Sequence, residues 1–198
     1  MQVIVVEGGD GVGKSTLVRR LAERYGFTPV HMSIPDPVDK PFQYWLGRIV
    51  PLLKTNPKGL IVDRLHWSED VYGTLRGGSQ LSAHERWLLE GWLFAHDALM
   101  VRCVVPKGVA WANVLKKPAA LHHDSKTFEQ VYEGYERPWM TRVPVVCFDY
   151  TIDYNDSLGF LDAFVTRPNG GLPATHQGIG SCAPFAVLVG DRHGTCGD

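Results

Sequence analysis

Gly8-Gly9-Asp10-Gly11-Val12-Gly13-Lys14-Ser15 places its glycines and a lysine-serine pair at the spacing G-x-x-x-x-G-K-[ST]. Glycines at that spacing let backbone N–H groups curl around phosphate oxygens. Lys14 would then reach the β and γ phosphates, and the Ser15 hydroxyl would ligate magnesium. Thr16, in the first helical turn, is a further candidate nucleotide contact. The chemistry implied is binding of ATP with Mg2+ and removal of its terminal phosphate.

Two more groups carry carboxylates that could direct that phosphate. Leu60-Ile61-Val62-Asp63-Arg64 ends an apolar run in an Asp-Arg pair, followed by His66, Ser68, Glu69 and Tyr72. Asp63 is placed to hold magnesium through water or to accept a proton, and Arg64 to neutralise charge between donor and acceptor. Ser33-Ile34-Pro35-Asp36-Pro37-Val38 sets Asp36 between prolines, where its own surroundings read as a turn; its likeness to the carboxylate that serves nucleoside kinases as base for the 5′ hydroxyl implies the alternative role. Asp10, within the glycine loop, is of a type that favours the turn. Among the aromatics Phe42, Tyr44, Trp45, Trp67 and Tyr72, the last two are taken as candidate acceptor contacts, with Asp10, Asp36 and Arg64.

The segment Glu7 to Thr16 resembles the loop of thymidylate kinases, which carry an acidic residue where Asp10 stands. That resemblance implies that Asp10 faces an acceptor sugar. Asp63-Arg64 is similar to the Asp-Arg-Tyr segment of those enzymes and to the Glu-Arg-Ser of deoxynucleoside kinases. Pro35-Asp36-Pro37 stands where these families have Arg-Glu-Pro or Glu-Pro-Val, with Asp in place of Glu. The likeness runs from about residue 2 to about residue 150 and is specific at the loop and the Asp-Arg segment. Both families place arginines in a lid, whereas this chain offers Lys107, Lys116, Lys117 and Lys126, which supply charge without a bidentate fork or form a solvated helix face.

The resemblance implies an ATP-dependent phosphotransferase acting on a (deoxy)nucleoside monophosphate, a thymidylate-like pyrimidine first, with Asp63 or Asp36 orienting the attacking oxygen. A deoxynucleoside kinase, a kinase of a modified base or hydroxyl in nucleic acid, and a P-loop NTPase switch are the alternatives. No Asn-Lys-x-Asp segment, which reads guanine in GTPases, occurs.

Positioning these groups requires alternating elements. Apolar runs at 2–7, 28–33, 59–62, 98–105 and 143–148 read as strands. Helical spacing marks 14–25, 42–53, a stretch opened by the capping box Ser82-Ala-His-Glu85, and another from Thr127. Alternation of this kind predicts an α/β P-loop NTPase fold: a parallel five-stranded sheet, helices on both faces, ligands at the carboxyl ends of the strands. Residues 1–165 form the predicted kinase domain, and 166–198 a linker with a short extension, possible as the start of a second α/β domain. The extension's Phe185 to Gly194 is similar to the opening of uracil-DNA-glycosylase-like domains, and no activity is assigned to it.

A chain of 198 residues with 44% hydrophobic content builds one core, and a net charge of −1 gives no broad grip on duplex nucleic acid. The expected partner is a small nucleoside or nucleotide, with nucleic acid and a homodimer left open. Cys103, Cys147, Cys182 and Cys196 form no CxxC pair, no basic leader is visible, and no apolar run reaches the roughly 20 residues of a membrane span. A soluble cytoplasmic protein is expected. His122-His123-Asp124 and the set His176, Cys182, His193 and Cys196 are too irregularly spaced for zinc.

Overall fold

The computed structural model describes residues 2–32, 41–116, 124–152 and 154–166. Asp36, Lys117, His122, His123 and the whole stretch 167–198 lie outside them. Strand β1 (Gln2–Glu7) is a run of Val and Ile buried from Val3 to Val6, which suits a strand covered on both faces. It lies between β3 (Gly59–Asp63) and β4 (Ala98–Cys103), with Val6 opposite Asp63 and Glu7 opposite Arg102. β2 (Thr28–His31) pairs with β3, and β5 (Val145–Phe148) with β4. All pairings are parallel in the order β2-β3-β1-β4-β5, so the sheet is the five-stranded one that alternation predicts. Every strand therefore delivers its carboxyl end to one edge, where ligands bind in such sheets.

Helices cover both faces. α1 (Lys14–Tyr25), α5 (Lys107–Leu115) and α7 (Tyr154–Val165) pack on the side of Ile4, Val6, Ile61, Leu99 and Val101. α2 (Pro41–Thr55), α3 (His66–Leu75) and α4 (Ala83–Ala95) pack on the side of Val3, Val5, Leu60, Val62 and Met100. α6 (Ser125–Glu136) crosses between the two, sending Phe128 to the first core and Val131 and Tyr135 to the second.

The Ser82–Glu85 capping box forms as its residues indicate. α6 begins two residues earlier than its apolar spacing suggests, because the Asp124 carboxylate caps it by accepting from the Thr127 amide at 2.7 Å. β2 and β4 stop at His31 and Cys103, short of the apolar runs that contain them. α3 has no simple apolar stripe: its buried face includes His66, Ser68 and Glu69. None of the described helices is long and apolar enough to cross a membrane.

Candidate active site

The chain leaves β1 at Glu7 and enters α1 at Lys14 through a loop in which Gly8, Gly11 and Gly13 are required by geometry. Gly11 has φ +80, and a Cβ there would run into the Ala110 carbonyl oxygen of α5. Gly13, the N-cap of α1, has φ +87, and a Cβ there would lie 2.9 Å from the Tyr150 ring. Gly8 sits against Cys103 at the end of β4, Gly9 over Val131 and Tyr135, and Val12 is buried in the α1 core. The loop is thus held by β4, α5, α6 and the turn after β5.

Lys14 is 7% exposed, and its Nζ donates to the Gly9 carbonyl across the loop. Burial, helped by the nearby Arg64 cation, lowers its ammonium to about 8, against the opposing pull of Asp10, Cys103 and Asp63. Burial pushes the neighbouring Cys103 thiol up to about 12. Ser15 and Thr16 are exposed and line the cleft above the loop.

Asp10, Arg64 and Tyr72 meet beside Lys14. The Arg64 Nη2 donates to Asp10 Oδ1 at 2.6 Å, the Tyr72 hydroxyl donates to Asp10 Oδ2 at 3.0 Å, and the guanidinium lies 5.0 Å from the Tyr72 ring centroid. Burial opposes ionisation of Asp10, but Arg64, Lys14 and the Tyr72 hydroxyl outweigh it and hold its carboxyl below the usual range. Arg64 has φ +68, a conformation that non-glycine residues adopt at a cost, and its Nη1 is buried without a hydrogen-bond partner. Next to it, Asp63 Oδ2 lies 2.9 Å from His31 Nδ1, while Oδ1 is buried and unpartnered.

Asp10, Lys14, His31, Asp63 and Arg64 share a cleft of about 610 Å³ along the carboxyl edge of the sheet, with Tyr72 behind Asp10 and outside the lining. Its lining includes Asp10, Lys14, Ser15, Asp63 and Arg64 from the loop, the start of α1 and the end of β3, and Asn113, Lys116 and Tyr150 from α5 and the turn after β5. Asn113 Nδ2 donates to the Gly11 carbonyl at 2.8 Å and to the Tyr150 hydroxyl at 2.6 Å, strapping α5 to the loop. The sequence did not single out His31, Asn113 or Tyr150; none belongs to a motif, and each gains meaning only from its place around the cleft, His31 at the end of β2, Tyr150 after β5 and Asn113 on α5. Among the described residues no group of three or more His, Cys, Asp or Glu could hold a metal. Ser15 and Asp63 nevertheless face the same cleft.

The remaining expected residues disperse. Trp67 does not line this cleft. It stacks on Trp139 at 4.9 Å and 10°, has the Arg86 guanidinium 5.6 Å from its ring, and lines a separate cavity of about 480 Å³ between α3 and α6. Trp45 is fully buried in the core, with Phe42 and Tyr44 packed at its margin. Of the lysines, Lys116 lines the cleft, Lys107 pairs with Glu129 of α6, and Lys126 is exposed.

Solved structures share this fold. The YorR protein of Bacillus subtilis, in complex with phosphorylated GDP, superposes with a TM-score of 0.64 at 18% identity, over 82% of this chain and 94% of that one. Deoxyadenosine kinase from M. mycoides superposes with TM-scores of 0.51 with bound dCTP and 0.52 with bound dATP. Both comparisons are at 16% identity and cover 82% of this chain, with 97% and 98% of the other. The chain shares their fold. With its strand-loop-helix start, this is an α/β P-loop fold. No protein-family model and no curated protein matches the sequence.

Proposed function

We propose that the protein transfers the γ-phosphate of ATP to a (deoxy)nucleoside monophosphate, with thymidylate-like pyrimidines favoured. The observation that carries this reading is the convergence of Lys14, Asp63 and the Asp10–Arg64 pair, backed by the Tyr72 hydroxyl, on one cleft at the strand ends. A hydrolytic switch has no need of an acid-cation-phenol group beside its phosphate loop; an enzyme that orients a second nucleotide does. The structures of similar fold, YorR in complex with phosphorylated GDP and a deoxyadenosine kinase, support phosphoryl transfer to a nucleotide or nucleoside.

On this reading the loop amides and Lys14 hold the β and γ phosphates, and Lys116 adds charge from the end of α5. Arg64, with a buried Nη1 still to be satisfied, bridges donor and acceptor phosphates. Asp10 accepts from the acceptor sugar, and Asp63 or Asp36 orients the attacking oxygen. Ser15 and Asp63 fit a magnesium ion: both are oxygen donors on the cleft, Asp63 Oδ1 is buried without a partner, and magnesium completes its shell with water and phosphate. When bound, that ion would neutralise charge on the transferring phosphate. The test is acceptor-dependent ADP release across nucleosides and their monophosphates. Faster turnover of dTMP than of thymidine is expected. Preferential turnover of free nucleosides would favour a deoxynucleoside kinase with Asp36 as base, and ADP release indifferent to any acceptor would favour an NTPase.

A further inference from the structure

Glu7, the last residue of β1, is fully buried and lies outside the cleft lining. Its carboxylate reaches into the start of α3. Oε1 accepts from the Leu65 amide at 2.8 Å and the Ser68 amide at 3.3 Å. Oε2 accepts from the Ser68 hydroxyl, which in turn meets the Tyr135 hydroxyl of α6 at 2.6 Å. Leu65 is the N-cap of α3 and has no side-chain cap of its own, and Ser68 is the third helical residue. A capping box satisfies the N-cap and third-residue amides with two side chains of one helix, as Ser82 and Glu85 do in α4. Here one carboxylate from a neighbouring strand satisfies both, and its negative charge sits at the positive end of α3.

Arg64 lies between β3 and this cap, in the left-handed region at φ +68. Such a conformation persists in a non-glycine residue only where its surroundings over-determine it. The Arg64 amide donates to the Val6 carbonyl at 3.0 Å, and the next amide, Leu65, donates to Glu7. The last two residues of β1 thus hold both peptide N–H groups that fix the Arg64 turn, and Gly8, the first residue of the phosphate loop, follows directly.

We propose that Glu7 is a positioning residue: by capping α3 from the end of β1 it locks the Arg64 turn in register with the phosphate loop, so that the guanidinium meets Asp10. Its kinetic consequence rests on the phosphotransferase reading above; its geometric consequence does not. Glu7→Gln preserves size but removes the charge at the start of α3 and replaces one acceptor oxygen with a donor, so that the Ser68 hydroxyl must turn to accept. With ATP and the best acceptor, kcat should fall about a hundredfold while the ATP Kd stays within about twofold, the signature of a misplaced rather than a missing group. In an Arg64→Ala background the same substitution should cost no further activity. A merely structural carboxylate would lower stability while leaving kcat of the folded fraction intact, or would add its full loss in that background; either result overturns the proposal. Ser68→Ala, which deletes only the Oε2 arm, carries the same cycle should Glu7→Gln fail to fold. A crystal structure of the folded variant reads Arg64 with no acceptor present. A guanidinium displaced from Asp10 supports the proposal, and an unchanged Arg64 contradicts it. Wild-type protein that transfers no phosphate counts against the phosphotransferase reading alone, because the Arg64 geometry still decides the role of Glu7.

Discussion

Lys14 is a buried cation beside another cation, an arrangement that stores unfavourable energy until an anion arrives. Its ammonium, ordinarily at 10.5, is brought to about 8 in the folded protein. Between those values the unfolded chain binds more protons than the folded one, so stability rises with pH across that window. Below about pH 8 the cost of the buried charge is fully present, on the order of 3 kcal/mol. Lys14→Met should therefore raise the thermal midpoint at neutral pH while lowering transfer by about a hundredfold or more. Unchanged stability together with unchanged turnover would remove Lys14 from the site. Above about pH 8, ATP binding to the wild-type protein should take up protons as phosphate restores the ammonium. Calorimetric titration in two buffers of different ionisation enthalpy measures that uptake. Asp10→Asn deletes a charge-assisted contact to Arg64 and should raise the acceptor KM by about tenfold with little effect on the ATP KM; an effect on ATP alone would place Asp10 on the donor side.

Elements decide which residues can meet, and here the sequence was legible in part. The strand-loop-helix start could be read directly, since the valine-rich strand, the glycine spacing and the helical periodicity adjoin in the chain. The proximity of Asp10, Arg64 and Tyr72 was foreseeable only by resemblance, because it depends on β3 lying beside β1. Asn113 and Tyr150 were not legible: α5 is short, and its loop-facing residue is a neutral amide that no local pattern distinguishes. Nor was the separation of Trp67 from Tyr72, which follows from α3 being a helix that turns the indole away toward Trp139. Asn113→Ala would free the Gly11 carbonyl and untie α5 from the loop. Loss of one such buried bond should raise the ATP KM severalfold, about tenfold at most, with the acceptor KM unchanged. An unaltered ATP KM would show that the strap is dispensable.

At the scale of the molecule, residues 2 to 166 contain the sheet, both cores and all the cleft residues named above. α7 closes the α1 side with Leu158, Leu161 and Phe164, and Asp162 pairs with Arg24, so it belongs to the domain. A chain ending after residue 166 should accordingly keep ATP-dependent transfer. A truncated protein that folds and binds ATP but transfers nothing would assign the acceptor site in part to residues 167–198. The central claim is that one cleft carries phosphate from ATP to a second nucleotide. Phosphorus NMR of the full chain with ATP, magnesium and dTMP tests it most directly. The account predicts that dTDP and ADP resonances grow in equal measure with the wild-type protein and are absent with Lys14→Met; growth of inorganic phosphate and ADP without any dTDP would contradict it.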